Sequence, residues 1–182
     1  MAKLRIYVAS SWKNPHQPDV VSRLRAIPGT EVYDFRHPKP GNDGFAWEAV
    51  DPNWEKWTFK EYRAALEHPI AQEGFRFDQY ALEQCDMCVL VLPCGRSSHL
   101  ELGYCAGMNL MTAVYSPPGV PVQPELMNLL ADRITDDFAE IEEWVQLTIE
   151  RVAAMSDPPP KKEKRDDPQF PQTTDVTLKL SS

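Results

Sequence analysis

No stretch of this chain approaches the ~20 apolar residues needed to cross a bilayer as a helix, so no membrane span is expected. Positive charge is also scarce: 19 Lys and Arg stand against 27 Asp and Glu, a formal charge of −8. A nucleic-acid polymer is bound by clustered cations that neutralise its phosphates, so this balance argues against such a partner. It leaves room for a single nucleotide, which a few local groups can hold. The opening MAKLRIYVASSW lacks the apolar length and cleavage pattern of a signal peptide. Cysteine is limited to Cys85, Cys88, Cys94 and Cys105, three of them in or beside an apolar strand pattern. We therefore expect a cytoplasmic chain with reduced thiols. There is no Walker ending, no internal repeat, and no second His or Cys at ligand spacing from His99. No metal and no cofactor are expected.

What the chain does have is alternation. LRIYVA at 4–9 reads as a buried strand, Pro18 to Ile27 as a helix, and Glu31 to Phe35 as a second strand. Helices are predicted over Phe59–Leu66, with Thr58 as N-cap, and from Pro69 to about Gln84. MCVLVL at 87–92 is the strongest buried strand. A tight loop at Cys94–Ser97 leads into a helix from Ser98 to about Met108. A strand at 110–115, a short helical turn at 124–130, a weak edge strand at 132–135 and a long helix at 136–155 follow. The sum is α/β: a three-layer doubly wound parallel sheet of about five strands, flavodoxin- or Rossmann-like, in the order 2-1-3-4-5. Residues 1–155 form the domain. Residues 156–182, rich in Pro and charge, read as a tail without enough apolar residues to fold alone, although DVTLKL at 175–180 has strand character.

The segment from His37 to Thr58 stands apart, with five Pro and Gly among Phe45, Trp47, Trp54 and Trp57. Disordered segments are poor in aromatics, so an ordered loop covering something is expected.

In a doubly wound sheet, ligands bind beyond the carboxyl ends of the strands at the switch point. That brings together the loop after Ala9, the loop after Leu92 and the helix start carrying Glu101. Asp78 lies on the preceding helix. Two carboxylates in one cleft can divide roles, one ionised as a nucleophile and the other a proton donor. Glu101 also completes a capping-box pattern with Ser98, and Asp78 fits an ordinary solvated position; both readings stay open. Asp86 suits a cap or turn. Gly95, Arg96, Ser97 and Ser98 precede a helix and can present amides and hydroxyls to an anion or a sugar hydroxyl. Tyr7 is either core or a group whose hydroxyl reaches the cleft. Ser10 and Trp12 sit at the expected ligand edge. Asp51, Trp54 and Trp57 either contact a base or pin the long loop to the body.

IYVASSW at 6–12, FDQYALEQCDMCVLVLP at 77–93 and HLELGYCAG at 99–107 together resemble the nucleoside 2-deoxyribosyltransferase family and its nucleotide N-hydrolase relatives. In that family a first-strand Tyr is followed by a helix Asp, a second Asp eight residues later before a strand, and a Glu in an ELG-type segment. Here these fall on Tyr7, Asp78, Asp86 and Glu101-Leu102-Gly103. The resemblance covers about residues 4–135. It is closer still to short bacterial deoxyribosyltransferase-like proteins with the same WEAVDPNWEKWT-type insert and PCGRSSHLE-type loop. It implies Glu101 as the nucleophile that takes the deoxyribosyl group, Asp78 as proton donor or base-positioning carboxylate, and Tyr7 as the group orienting Glu101. It also implies a small nucleoside or nucleotide as substrate and a homo-oligomer. The loop before Glu101, GRSSH, departs from the glycine-rich or acidic loops of the transferases. Two other functions fit the same fold: a relative of TIR domains, which cleave NAD with a Glu after the same central strand, and a nucleotide-binding module without turnover.

Overall fold

The computed structural model describes residues 3–154. The expected tail at 156–182 and its DVTLKL segment lie outside them. Five parallel strands form one sheet in the order β2-β1-β3-β4-β5: β1 (Leu4–Ala9), β2 (Thr30–Tyr33), β3 (Met87–Val91), β4 (Met111–Tyr115) and β5 (Arg133–Thr135). The helices are α1 (Gln17–Ala26), α2 (Phe59–Ala65), α3 (Pro69–Gln84), α4 (Arg96–Gly107) and α5 (Phe138–Ala154). Both the sheet order and the α/β class match the expectation from alternation. No described helix is long and apolar enough to cross a membrane.

The two-residue period of the strands divides the core. Ile6 and Val8 of β1 join Met87, Val89 and Val91 of β3 in a cluster with Val20, Val21 and Leu24 of α1 and Ile141 and Val145 of α5. Tyr7 and Ala9 point the other way. They join Cys88 and Leu90 in a cluster with Leu102 and Cys105 of α4, and Ala81 and Leu82 of α3 pack against it. Register does the rest, since a slip of one residue would exchange the two faces. Tyr7 is thus set on the side of the sheet that carries α3 and α4, the helices of Asp78 and Glu101.

Asp86 belongs to the opposite end of the sheet. Its carboxylate accepts from the Arg5 amide at 2.9 Å and pairs with the Arg5 guanidinium at 3.4 Å, fixing the entry to β3. The three thiols of Cys85, Cys88 and Cys105 are buried, and the Cys105 thiol beside it, together with burial, pushes the Cys85 thiol up. They are core groups and not a reactive pair.

Two helix starts differ in an instructive way. At α2, Thr58 forms a full capping box with Glu61, as its sequence suggests. At α4 the box expected between Ser98 and Glu101 is absent. The helix begins two residues earlier, with Gly95 extended at the cap position and no side-chain cap. Ser98 is buried, and its hydroxyl donates to the Ser10 carbonyl at 2.8 Å. That long-range bond outcompetes the local one, and it puts Glu101 in the second turn, with no capping duty.

Candidate active site

Ser10 knits the switch point. Its hydroxyl donates to the Val91 carbonyl at 3.0 Å and accepts from the Asn14 amide at 2.9 Å. Asn14 also donates to the Val91 carbonyl at 3.0 Å. The ends of β1 and β3 and the start of α4 are therefore tied at one residue. Beyond this knot opens a cleft of about 660 Å³. Asp78 and Glu101 both line it, with Ser10, Trp12, Gly95, Ser97 and Ser98. Trp54 lines it from the long 37–58 segment.

Arg96 and Asp51 are not among the residues that line the cleft. Arg96 is exposed on the first turn of α4. Asp51 is turned into its own loop, where it accepts from the Trp57 indole at 2.7 Å and the Asn53 amide at 2.8 Å. Both had been expected to contact substrate. A short-range partner claimed Asp51, and the early start of α4 carried Arg96 outward.

The 37–58 segment is ordered, with short 3-10 turns at Trp47–Ala49 and Trp54–Lys56. Its aromatics interlock: Trp47 meets Phe45 edge-on at 4.8 Å and Trp57 at 5.5 Å between ring centres. Two glycines let it sit close to the body. Gly44 has φ +76°, and a Cβ there would lie 2.4 Å from the Phe35 carbonyl oxygen. A Cβ on Gly74 of α3 would lie 2.6 Å from the Phe45 Cβ. Gly74 is one helical turn before Asp78, so this contact builds the cleft wall next to the carboxylate.

The electrostatics of the pair follow from burial. Asp78 is pushed up to about 6 by loss of solvent, and a hydrogen bond from the Tyr33 hydroxyl at 2.8 Å opposes the rise. Glu101 is pushed further, to about 8, by burial and then by the Asp78 charge, with the Tyr7 hydroxyl acting in the opposite direction. Tyr7 is fully buried, and its hydroxyl has no well-formed hydrogen bond. It lies near enough to Glu101 to favour the carboxylate, without the geometry of a settled bond. Two carboxyls so raised share about one proton near neutrality, and the steps belong to the pair. The proton favours Glu101, the reverse of the division expected for a nucleophile.

No family model matches the chain, and no curated protein matches it in sequence. Among solved structures, it is similar to a 2-deoxyribosyltransferase from Bacillus psychrosaccharolyticus, with a TM-score of 0.49 and 19% identity over 80% of this chain and 95% of that one. It is also similar to a CMP N-glycosidase from Clostridium botulinum, with a TM-score of 0.40 and 14% identity over 79% of this chain and 96% of that one. At these identities and scores neither decides what this chain acts on.

Two contributors escaped the sequence reading. Tyr33 was one, although the strand register held a clue: it pairs directly with Tyr7 across β1 and β2, and their rings stack at 5.2 Å. Arg36 was the other. One of its nitrogens donates to the carbonyls of Ser11, Trp12 and Asn14 at 2.8–2.9 Å, clamping the loop that carries Trp12. Nothing in its local sequence signals that role. His99 sits 3.5 Å from the Cys94 sulfur and 3.3 Å from the Gly95 carbonyl. Among the described residues, no group of three or more His, Cys, Asp or Glu is placed to hold a metal ion.

Proposed function

We propose that the chain is an enzyme of the N-glycosidic bond, acting on a nucleoside or nucleotide by transfer or hydrolysis. The observation that carries this reading is the carboxyl pair: Asp78 and Glu101 line one cleft, each is raised by burial, Asp78 accepts from Tyr33, and Tyr7 lies near Glu101. A glycosidic carbon that loses its base acquires oxocarbenium character, which a carboxylate stabilises or captures.

In the proposed cycle a Glu101 oxygen bonds to C1′ as the C1′–N bond breaks. The bonding electrons return to the base nitrogen, which takes the proton from Asp78. A second base or a water then attacks C1′, its proton goes to the now ionised Asp78, and the electrons of the breaking C1′–O bond return to Glu101. The ring of positive charge developing at the sugar favours ionised Glu101, so substrate draws the shared proton toward Asp78. Tyr7 would orient the Glu101 carboxylate and Tyr33 that of Asp78. Support also comes from the order of Tyr7, Asp78 and Glu101, which resembles the deoxyribosyltransferases.

The test is chromatographic. The protein and its Glu101→Ala variant are each incubated with deoxynucleosides, deoxynucleotides and NAD, with and without an acceptor base. Base exchange that needs the acceptor and disappears in the variant identifies a transferase; release without acceptor identifies a hydrolase. Nicotinamide release points to the NAD-cleaving alternative. Binding without turnover across the panel leaves a nucleotide-binding module and ends the proposal.

A further inference from the structure

The cleft has a charge pattern that the carboxyl pair does not account for. The dipeptide Trp-Glu occurs at 47–48 and again at 54–55. Each copy opens one of the two 3-10 turns, and all four residues line the cleft. Indoles and carboxylates thus share this wall, with the Glu48 carboxylate held by its own amide and the Trp54 indole. Trp12, Phe45 and Phe77 add aromatic surface, with Lys39 already over the Phe77 ring at 4.6 Å and Arg36 over the Trp12 ring at 5.9 Å. Glu73 adds another carboxylate, partly offset by Lys39 at 3.9 Å. Among the lining residues Lys13 is the sole cation.

Groups that would welcome an anion are committed elsewhere. The Ser10 and Ser98 hydroxyls donate to the carbonyls of Val91 and Ser10. One terminal nitrogen of Arg36 is occupied by three carbonyls while its buried Nε has no partner, and neither Arg36 nor Arg96 lines the cleft. The first amides of α4, Ser97 and Lys13 remain. Beside Glu101, the buried Tyr7 hydroxyl is without a well-formed partner. Aromatic faces beside carboxylates are the chemistry that holds organic cations.

We propose that the cleft selects by charge and takes a nucleoside whose base is cationic, in preference to its neutral or phosphorylated counterparts. The inference rests on the N-glycosidic reading and narrows it. The chemistry is consistent with such a substrate. When a cationic base departs, the C1′–N electron pair neutralises its ring, and the base leaves without needing a proton. A Glu101 oxygen takes the C1′ bond. Asp78 then serves as a counter-charge and not as a donor.

Binding is read by tryptophan fluorescence on the Glu101→Ala variant, or on Glu101→Gln if the first does not fold. The probes are guanosine, 7-methylguanosine and guanosine 5′-monophosphate, with their 2′-deoxy forms, at mildly acidic pH where the methylated ring is cationic. The expected order is methylated, then neutral, then phosphorylated, with steps of about tenfold. High salt compresses both steps, as does the double substitution Glu48→Gln with Glu55→Gln. Equal binding of the three, or tightest binding of the monophosphate, overturns the inference. Turnover is measured separately on the unaltered protein, with Asp78→Asn beside it. The Asn variant is expected to lose activity on both, but about tenfold or more further on the neutral base, which also needs the proton, than on the methylated one; equal loss on both also overturns the inference. Charge-ordered binding with no base released from any probe overturns the glycosidic reading, and this inference falls with it. Turnover without charge preference removes only the inference.

Discussion

The Tyr33 hydroxyl donates to the Asp78 carboxylate at 2.8 Å, joining residues 45 positions apart. The same ring stacks on Tyr7, which in turn bears on Glu101. Two tyrosines from adjacent strands therefore face two carboxylates from adjacent helices. The bond to Tyr33 favours ionised Asp78, whereas burial favours the protonated form.

Tyr33→Phe keeps the ring and removes the donor. Asp78 should then hold its proton to higher pH. The acid limb of the pH–rate profile, expected near 6, should move up by about one unit, the value of one hydrogen bond to a charged group after solvent screening. A limb that stays in place would show that Asp78 does not set it.

The unaltered protein should have a bell-shaped profile. Turnover requires one proton on the pair: with two, Glu101 cannot attack, and with none, a neutral base has no donor. The limbs should fall near 6 and near 8. With a base that stays cationic across this range the alkaline limb should vanish, because no donor is needed. Rates of base release across this range check both statements.

Glu101→Gln should abolish turnover, by about 1,000-fold or more, and yet stabilise the fold at alkaline pH. The folded-state carboxyl is raised from an ordinary 4.5 to about 8. Between those values the folded chain binds more protons than the unfolded one, so the stability from Glu101 is full below 4.5 and is lost as pH rises through 8. The amide does not titrate. Its melting temperature should match that of the unaltered protein at low pH and exceed it at pH 8, by roughly 1–3 kcal/mol in stability. Lower stability of the amide at both ends would restore a capping role for Glu101.

The two helix starts can be told apart by mutation. Thr58→Ala removes a capping box from α2 and should cost about 1 kcal/mol. Ser98→Ala removes the buried bond to Ser10 and should cost about the same, although for a tertiary reason. A double-mutant cycle of Ser98 with Glu101 should give no coupling, whereas Thr58 with Glu61 should couple. Denaturant melts supply all the values.

Gly74→Ala introduces a Cβ 2.6 Å from that of Phe45. The helix gains intrinsic propensity, but the cleft wall must move. KM should rise about threefold to tenfold, with kcat within about twofold, because the change touches substrate fit and not the carboxyl pair. An unchanged KM would mean that the Phe45 wall does not meet substrate.

Hydrophobic alternation by itself determined the strands and the helices between them, because periodicity is a local signal that survives in any window of the chain; the order 2-1-3-4-5, a matter of distant pairing, was an expectation that the tertiary structure decided. The topology also brought the start of the Glu101 helix to the switch point beyond β1 and β3, whereas the roles expected of Tyr7, Asp78 and Glu101 rested on a resemblance in motif order. Only the tertiary structure decided what those residues touch. Ser98 had two available partners, a neighbouring glutamate and a carbonyl 88 positions away, and the buried bond won. Asp51 had a solvent-facing loop from which to reach a ligand, and the Trp57 indole took it. Tyr33 and Arg36 became part of the site through contacts that no local pattern encodes. Proton affinity is decided in the same way. A carboxyl has one ordinary pKa in the unfolded chain, and the shift at Glu101 comes from the depth of its burial and from a charge on another helix.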